Sequence, residues 1–304
     1  MLSNSLPLIS TIEIFVTVFA FITLAGDAWF VLVGLALLYW LGPRYDEALR
    51  PIAVFVVSLA VVGLAVVLTL KTAVGLPRPS TTPLDPATLP AVIGPFVAGE
   101  LDASGFTFPS GHTVAATVVY GGLGLLISVG RRRTRYLVAT GCILLVGLSR
   151  VVLGVHYLRD VIAGVAVGVG ILGVALTVGR DGDRLRADRL FGIAVVVALG
   201  GLVVASDGGH TRELTQAAIA VGTGVAGGVI WYRWGSQLVA SRPVSVPVSF
   251  AGLAGTGGLW VVSYAGVLST VGAAIASGLA VSCILLLPLL AEYVKKGKSE
   301  PDRP

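Results

Sequence analysis

The sequence predicts an all-α protein, a polytopic membrane helical bundle, and three observations carry that prediction. Apolar stretches long enough to cross a bilayer recur along nearly the whole chain. Charged residues make up 12% of the 304 residues against 55% hydrophobic, and the mean hydropathy is +0.92. The basic residues gather in alternate breaks between the apolar stretches. A span takes roughly 20 apolar residues at about 1.5 Å each to cross about 30 Å of hydrocarbon. Once such spans are placed, no room is left for a sizeable soluble domain.

Taken in order, the spans fall near 9–25, 28–42, 51–71, 110–129, 136–153, 157–178, 190–206, 214–232, 248–266 and 269–292. Only Gly26-Asp27 divides the first two, and each is short. A single merged span there would move the N-terminus across the membrane without touching the rest. The opening stretch MLSNSLPLISTIEIF has no basic region and no small-residue cleavage site, so it reads as a retained helix.

Orientation follows from the cations. Arg44 and Arg50, the Arg131–Arg135 cluster, Arg180 to Arg189, Arg233 and Arg242, and Lys295, Lys296, Lys298 and Arg303 all follow even-numbered spans. They account for 16 of the 21 Lys and Arg residues. That side is expected to be cytoplasmic, and it includes the C-terminus. Lys71, Arg78, Arg150, Arg159 and Arg212 fall on the outer side, against the bias. Cations kept where topology disfavours them need another reason to be there.

The connection from Lys71 to Pro109 is Pro-rich with scattered acids, Asp85, Glu100 and Asp102. Its length points to a lid over a site at the membrane surface. Beyond residue 190 the glycines Gly222, Gly224, Gly227, Gly228, Gly252, Gly255, Gly257 and Gly258 suit close helix packing, and no chemical motif accompanies them. Cys142 and Cys283 lie inside apolar runs and read as small buried hydrophobes. The division that follows is a membrane core over 1–180 and additional helices with a short basic tail over 181–304.

Three polar clusters share the outer side. Lys71 and Arg78-Pro79 end the third span, Pro109-Ser110-Gly111-His112 opens the fourth, and Ser149-Arg150 with His156 and Asp160 joins the fifth to the sixth. Guanidinium forks match phosphate oxygens and an ammonium acts as a point charge, so Lys71, Arg78 and Arg150 suit a dianionic phosphate. Ser110 and Gly111 at a helix start offer backbone N–H groups and the positive dipole end. His156 and Asp160 are four apart and would share a helical face, with the carboxylate fixing the imidazole. His156 then reads as a nucleophile and His112 as general acid and base. His210, in Asp207-Gly-Gly-His210-Thr-Arg212, has no comparable companions and reads as a solvated loop residue.

Lys71-x6-Arg78-Pro79, Pro109-Ser110-Gly111-His112 and Ser149-Arg150-x5-His156-x3-Asp160 together resemble the three-part signature of the type 2 phosphatidic acid phosphatase superfamily. These are metal-independent lipid phosphate phosphatases related to vanadium haloperoxidases. The resemblance implies a six-helix phosphatase core over about 10–178, with about four extra C-terminal transmembrane helices that depart from the family pattern. It implies phosphohistidine formation at His156 and acid–base work at His112. Phosphate binding would fall to Lys71, Arg78, Ser110, Gly111 and Arg150. Arg159 is no part of the signature and reads as a head-group contact, a charge at the mouth or a simple exposed residue.

The expected activity is therefore hydrolysis of a terminal phosphate from an isoprenoid diphosphate or a phosphatidate-type lipid, in the cell membrane, with the site facing outside. No metal or cofactor is expected, since arginines and a lysine stand where other phosphatases place metals. The partner is a membrane lipid, and no aromatic-interleaved basic patch suggests nucleic acid. Two alternatives use the same pocket: a phosphate-lipid transporter or binding protein, and a vanadate-dependent haloperoxidase, against which the lipid-spanning helices argue.

Overall fold

A computed structural model of the chain describes residues 10–80, 82–102 and 104–299. Residue 9, where the first expected span begins, and Arg303 lie outside the described residues, as do the side chains of Lys296 and Lys298. The described chain is predominantly helical, as the apolar runs predict. In hydrocarbon a backbone must satisfy its own polar groups, so even valine-rich runs such as that of residues 52–67 coil into helices.

The helices are α1 (Thr11–Thr23), α2 (Ala28–Leu41), α3 (Leu49–Val74), α4 (Gly94–Glu100), α5 (Gly111–Leu126), α6 (Arg132–Val152), α7 (Leu158–Val178), α8 (Ala187–Asp207), α9 (Thr211–Ala240), α10 (Val246–Tyr264) and α11 (Thr270–Ser299). A two-residue hairpin, Arg180–Asp181 with Arg184–Leu185, joins α7 to α8. Seven helices, α3 and α6 to α11, are each long and apolar enough to cross a membrane, while α5 is shorter at 16 residues.

The first two helices do not form the antiparallel pair that two separate spans would make. They succeed one another with a bend of 50° at Gly26-Asp27. A Ser10–Glu13 capping box starts α1, and its Val16 and Ala20 pack with Leu89, Val97 and Leu101 of the long loop and with Leu153 and Val155. The first helix thus lies beside that loop, at the end of the bundle where α3 finishes and α5 begins. The loop itself packs as a cap, with α4 within it.

Packing centres on α3, which touches α2, α5, α7, α8 and α9. The main hydrophobic cluster runs without interruption from Val31 through Phe55 and Phe191 to Leu285. At the far end of the bundle Arg50 is fully buried, and its guanidinium donates to the carbonyls of Tyr39, Leu238, Ser241 and Arg242. A buried cation is tolerable only when its donors are met in this way. Tyr39 Oη donates to Leu285 O at 2.8 Å and Trp40 Nε1 to Ile284 O at 2.9 Å, fastening α2 to α11.

Two expectations about small residues need correction. Gly222 meets the backbone of Ala274, Gly227 the ring of Phe191, and Gly252 the side chains of Leu287 and Trp40, but Gly255, Gly257 and Gly258 face no neighbour. Neither cysteine is buried: Cys142 is half-buried and Cys283 exposed, because both sit on helix faces turned outward, where lipid rather than protein surrounds an apolar side chain.

Candidate active site

The three clusters meet at one end of the bundle, and local turns explain how. Gly75, at φ 64°, ends α3 in the left-handed conformation just beyond Lys71. The chain then extends, Pro77 bridges to Phe106, and the Thr107 N–H donates to Leu76 O at 2.9 Å. This pairing lays the Arg78 segment against the approach to α5. The Ser110 N–H donates to Asp160 O at 3.0 Å, joining the start of α5 to the first turn of α7. Gly164 permits the contact, since a Cβ there would lie 2.9 Å from Thr113 Cβ and 3.0 Å from Ser110 O.

His156 and Asp160 do not share a helical face. His156 precedes α7, which begins at Leu158, and Asp160 occupies its third position, where Oδ2 accepts the Tyr157 N–H at 2.9 Å. The Nδ1 of His156 and Asp160 Oδ2 stand 3.6 Å apart. Between them lies the hydroxyl of Thr107, fully buried, which donates to Asp160 Oδ2 at 2.6 Å and lies 3.0 Å from His156 Nδ1. A hydroxyl has one proton to give. With that proton on Asp160, the bond from His156 is completed by its Nδ1–H, which leaves the Nε2 lone pair free. Burial, then the charges of Arg78, Lys71 and Arg150, push the His156 imidazole well below its ordinary range, so it is neutral and nucleophilic.

His112, in the first turn of α5, is held by a carboxylate the sequence reading used only as a break. Its Nε2 lies 2.6 Å from Asp27 Oδ1, and Asp27 Oδ2 accepts from Trp29 Nε1 at 3.2 Å. Gly26 makes the approach possible, because a Cβ there would stand 2.6 Å from Val146 Cγ1 and 3.1 Å from His112 Cβ.

Arg150 is almost wholly buried; its Nη1 donates to Thr23 Oγ1 at 2.8 Å and to Glu100 Oε2 at 3.1 Å. Arg78 Nη1 donates to Val155 O at 3.4 Å. The Nε atoms of both arginines are buried without a partner among the described residues, so each keeps an unmet donor. Burial, with Arg150 close by, pushes Arg78 down to about 10. Burial, and then Asp27, raises the Glu100 carboxyl above its usual range.

The backbone cradle is narrower than expected. Because the Ser110 N–H is spent on Asp160, the free donors are those of Gly111, His112 and Thr113 in the first turn of α5. The Ser110 hydroxyl accepts from Thr113 Oγ1 at 2.9 Å and keeps its own proton for a ligand. Arg159 has a side chain 63% exposed and stacked over the Tyr157 ring at 4.8 Å, and its Nε lies 3.8 Å from Asp160 Oδ1, so it stands at the outer edge of the site. His210 is less solitary than expected: its ring meets Phe106 edge-on at 5.1 Å, because the α8–α9 turn leans on the site loop.

Asp27, Glu100 and His112 each offer one ligand atom, all within 4.8 Å of one another, a spacing a cation can bridge. Each carboxylate is nonetheless already matched within the protein, Asp27 by His112 and Glu100 by Arg150.

Thr107, Asp27, Glu100 and Thr23 were not singled out from sequence. Thr107 was the most findable, as a lone hydroxyl between two phenylalanines just ahead of Pro109-Ser110-Gly111-His112. Thr23 and Asp27 come from segments far away in the chain, Glu100 lies earlier in the same connection as Thr107, and none of the three carries a motif.

Residues 51–184 match the PAP2 superfamily, a segment running from the start of α3 through the α7–α8 hairpin. Over 83 residues the chain is 34% identical to "Phosphatidylglycerophosphatase B" of Bacillus subtilis (strain 168), covering 25% of this chain and 41% of that protein. The chain thus spans about two fifths of the length of the curated relative it matches. No solved structure matches.

Proposed function

With residues 51–184 assigned to the PAP2 superfamily, we propose that this chain is an integral membrane lipid phosphatase that works through a phosphohistidine on His156. The observation that carries the reading is the His156–Thr107–Asp160 chain of hydrogen bonds set beside two arginines with unmet buried donors. Arg78, Arg150 and Lys71 hold the phosphate, with the first-turn N–H groups of α5 and the Ser110 hydroxyl.

Nε2 of His156 attacks phosphorus as the P–O bond to the lipid breaks, and His112 gives a proton to the departing oxygen. For that transfer His112 carries a proton on each ring nitrogen: Nε2–H is held by the Asp27 carboxylate, which with the bound phosphate dianion balances the imidazolium, and Nδ1–H is the proton given. Water then attacks the phosphohistidine and yields its proton to His112, which releases inorganic phosphate and returns His156 to its neutral form. The thermodynamic role of the Thr107–Asp160 pair is to stabilise positive charge developing on His156.

The substrate is a lipid carrying a terminal phosphate. The name of the Bacillus relative points to a phosphatidylglycerol phosphate; a site facing outside, as the distribution of cations supports, favours an isoprenoid diphosphate. Both read the phosphate with the same groups. Orientation with the site outside and the C-terminus cytoplasmic is supported by the 16 cations on the opposite side. The cationic lining supports a mechanism without a metal. A functional boundary near residue 180 coincides with the α7–α8 hairpin, although the hydrophobic core crosses it.

The test is phosphate release by purified protein in detergent with EDTA, from phosphatidylglycerol phosphate, phosphatidate and isoprenyl diphosphates, beside His156→Ala. Release that falls to background in the variant supports the reading. Release unchanged in His156→Ala, or dependent on an added divalent cation, contradicts it, and binding without hydrolysis would favour a transporter.

A further inference from the structure

A cavity of about 200 Å3 opens beside His112 and descends through the bundle between α2, α3 and α5 on one side and α9, α10 and α11 on the other. From Ala28 to Tyr39 along α2 its wall descends roughly 17 Å at about 1.5 Å per residue. That exceeds half the thickness of a bilayer's hydrocarbon core, about 15 Å. Its walls are aliphatic and aromatic almost throughout. The members of the proposed catalytic set on its wall are Gly111 and His112, at the upper end.

Two features make this more than a packing defect. His112 is the proposed general acid, and a general acid stands on the side of phosphorus from which the leaving group departs. The lipid is the leaving group, so its chain leads away past His112, where the cavity begins. Secondly, Thr223 Oγ1 and Trp260 Nε1 face the cavity and are buried with no hydrogen-bond partner among the described residues, and Thr223 is 3% exposed. Buried donors left unmet are costly. Trp260 lies four residues before the end of α10, roughly 6 Å below that end. Such donors suit the ester or ether oxygens that a glycerolipid carries close to its phosphate.

We propose that α9, α10 and α11 wall a chamber for the hydrocarbon chain of the phosphorylated substrate, with Thr223 and Trp260 meeting an oxygen near the head of a glycerolipid chain. This rests on the phosphatase reading of the site. It gives the C-terminal helices, which lie outside the matched segment, a part in substrate selection.

The test compares two phosphatidates, one with long and one with four-carbon chains, and an isoprenyl phosphate, using the full-length protein and the variants Ala60→Trp and Thr223→Val. Ala60 lines the middle of the chamber on α3. The ratio of long-chain to short-chain kcat/KM is expected to fall about tenfold in Ala60→Trp, the equivalent of roughly two buried methylenes. Thr223→Val should raise KM several-fold for the long-chain phosphatidate relative to the isoprenyl phosphate. An unchanged ratio in Ala60→Trp overturns the chamber, and equal effects of Thr223→Val on both lipids overturn the glycerolipid assignment.

Should Ala60→Trp not fold, a long-chain phosphatidate carrying a photoreactive group near the chain end decides the matter in unaltered protein. Labels on α9 and α11 near Ile284 and Leu285 support the chamber; labels confined to the outward faces of α6 and α7 overturn it. Failure of the unaltered protein to hydrolyse any of these lipids would count against the phosphatase reading, while the labelling pattern still reports on the chamber.

Discussion

Nδ1 of His156 and Oδ2 of Asp160 stand 3.6 Å apart, and the Thr107 hydroxyl occupies the gap with bonds of 3.0 and 2.6 Å. The carboxylate therefore acts on the imidazole through a neutral intermediary. Thr107→Val keeps the shape and removes the link, so kcat should fall about 10- to 100-fold, in keeping with roughly 1.5–3 kcal/mol for a hydrogen bond to a charged group. Thr107→Ser should restore most of the loss. Steady-state kinetics of the two variants, with equal thermal stability as a control, check this; a Val variant as active as the parent would remove Thr107 from the account.

Asp27 positions His112 from outside the matched segment. Asp27→Asn is expected to lower kcat roughly 10- to 100-fold, a part of the 10²–10⁴ that general acid–base catalysis contributes. KM should stay within about twofold, since Asp27 does not touch the phosphate. If instead Asp27, Glu100 and His112 work as a cation site, the parent protein would lose activity in EDTA and regain it with a divalent metal, and Asp27→Asn would weaken that rescue.

Glu100 holds Arg150 at 3.1 Å and so competes with a phosphate for the same guanidinium. Glu100→Gln should tighten orthovanadate inhibition by about three- to tenfold. Because it leaves a buried arginine with one partner fewer, it should also lower the melting temperature. Titration with vanadate and a thermal scan read the two effects separately, and weaker inhibition would show that Glu100 supports anion binding.

The neutrality of His156 predicts a pH dependence of stability. Its pKa in the folded protein lies below that of the unfolded chain, about 6.5 for an ordinary histidine. The unfolded state thus binds more protons, and stability rises with pH across that window. His156 contributes its full stability above about pH 6.5 and loses it progressively below. Melting temperatures in detergent between pH 8 and 5 should fall more steeply for the parent than for His156→Gln. Parallel profiles would contradict a buried neutral imidazole.

The bundle was largely legible because apolar runs and helices in lipid coincide: α3 and the seven helices from α5 to α11 lie where such runs do, and the bent α1–α2 pair matches the weak break at Gly26-Asp27. Where sequence and structure differ, the reason is local. α4 is seven residues of Gly, Pro and mixed polarity, too short to produce a period, and the α7–α8 hairpin has two residues per strand. α9 and α11 outrun their apolar stretches because a helix already started continues through Arg233 or Lys295 once it leaves hydrocarbon. The eight candidate site residues could be picked from three short segments. Asp27 and Glu100 could not, since each reaches the site only through folding, one by the bend and the other by the cap. His156 before α7, rather than within it, shows the limit of a four-residue spacing as a guide to a shared face.

A phosphoryl group carried by His156 is a covalent intermediate, and it can be trapped. Purified protein mixed with its best lipid phosphate is quenched in alkali within one turnover, digested and examined by mass spectrometry. One phosphoryl group is expected on the peptide containing His156, stable to base, lost in acid and absent from His156→Ala. Turnover without any phosphopeptide, or with the group on another residue, would contradict it.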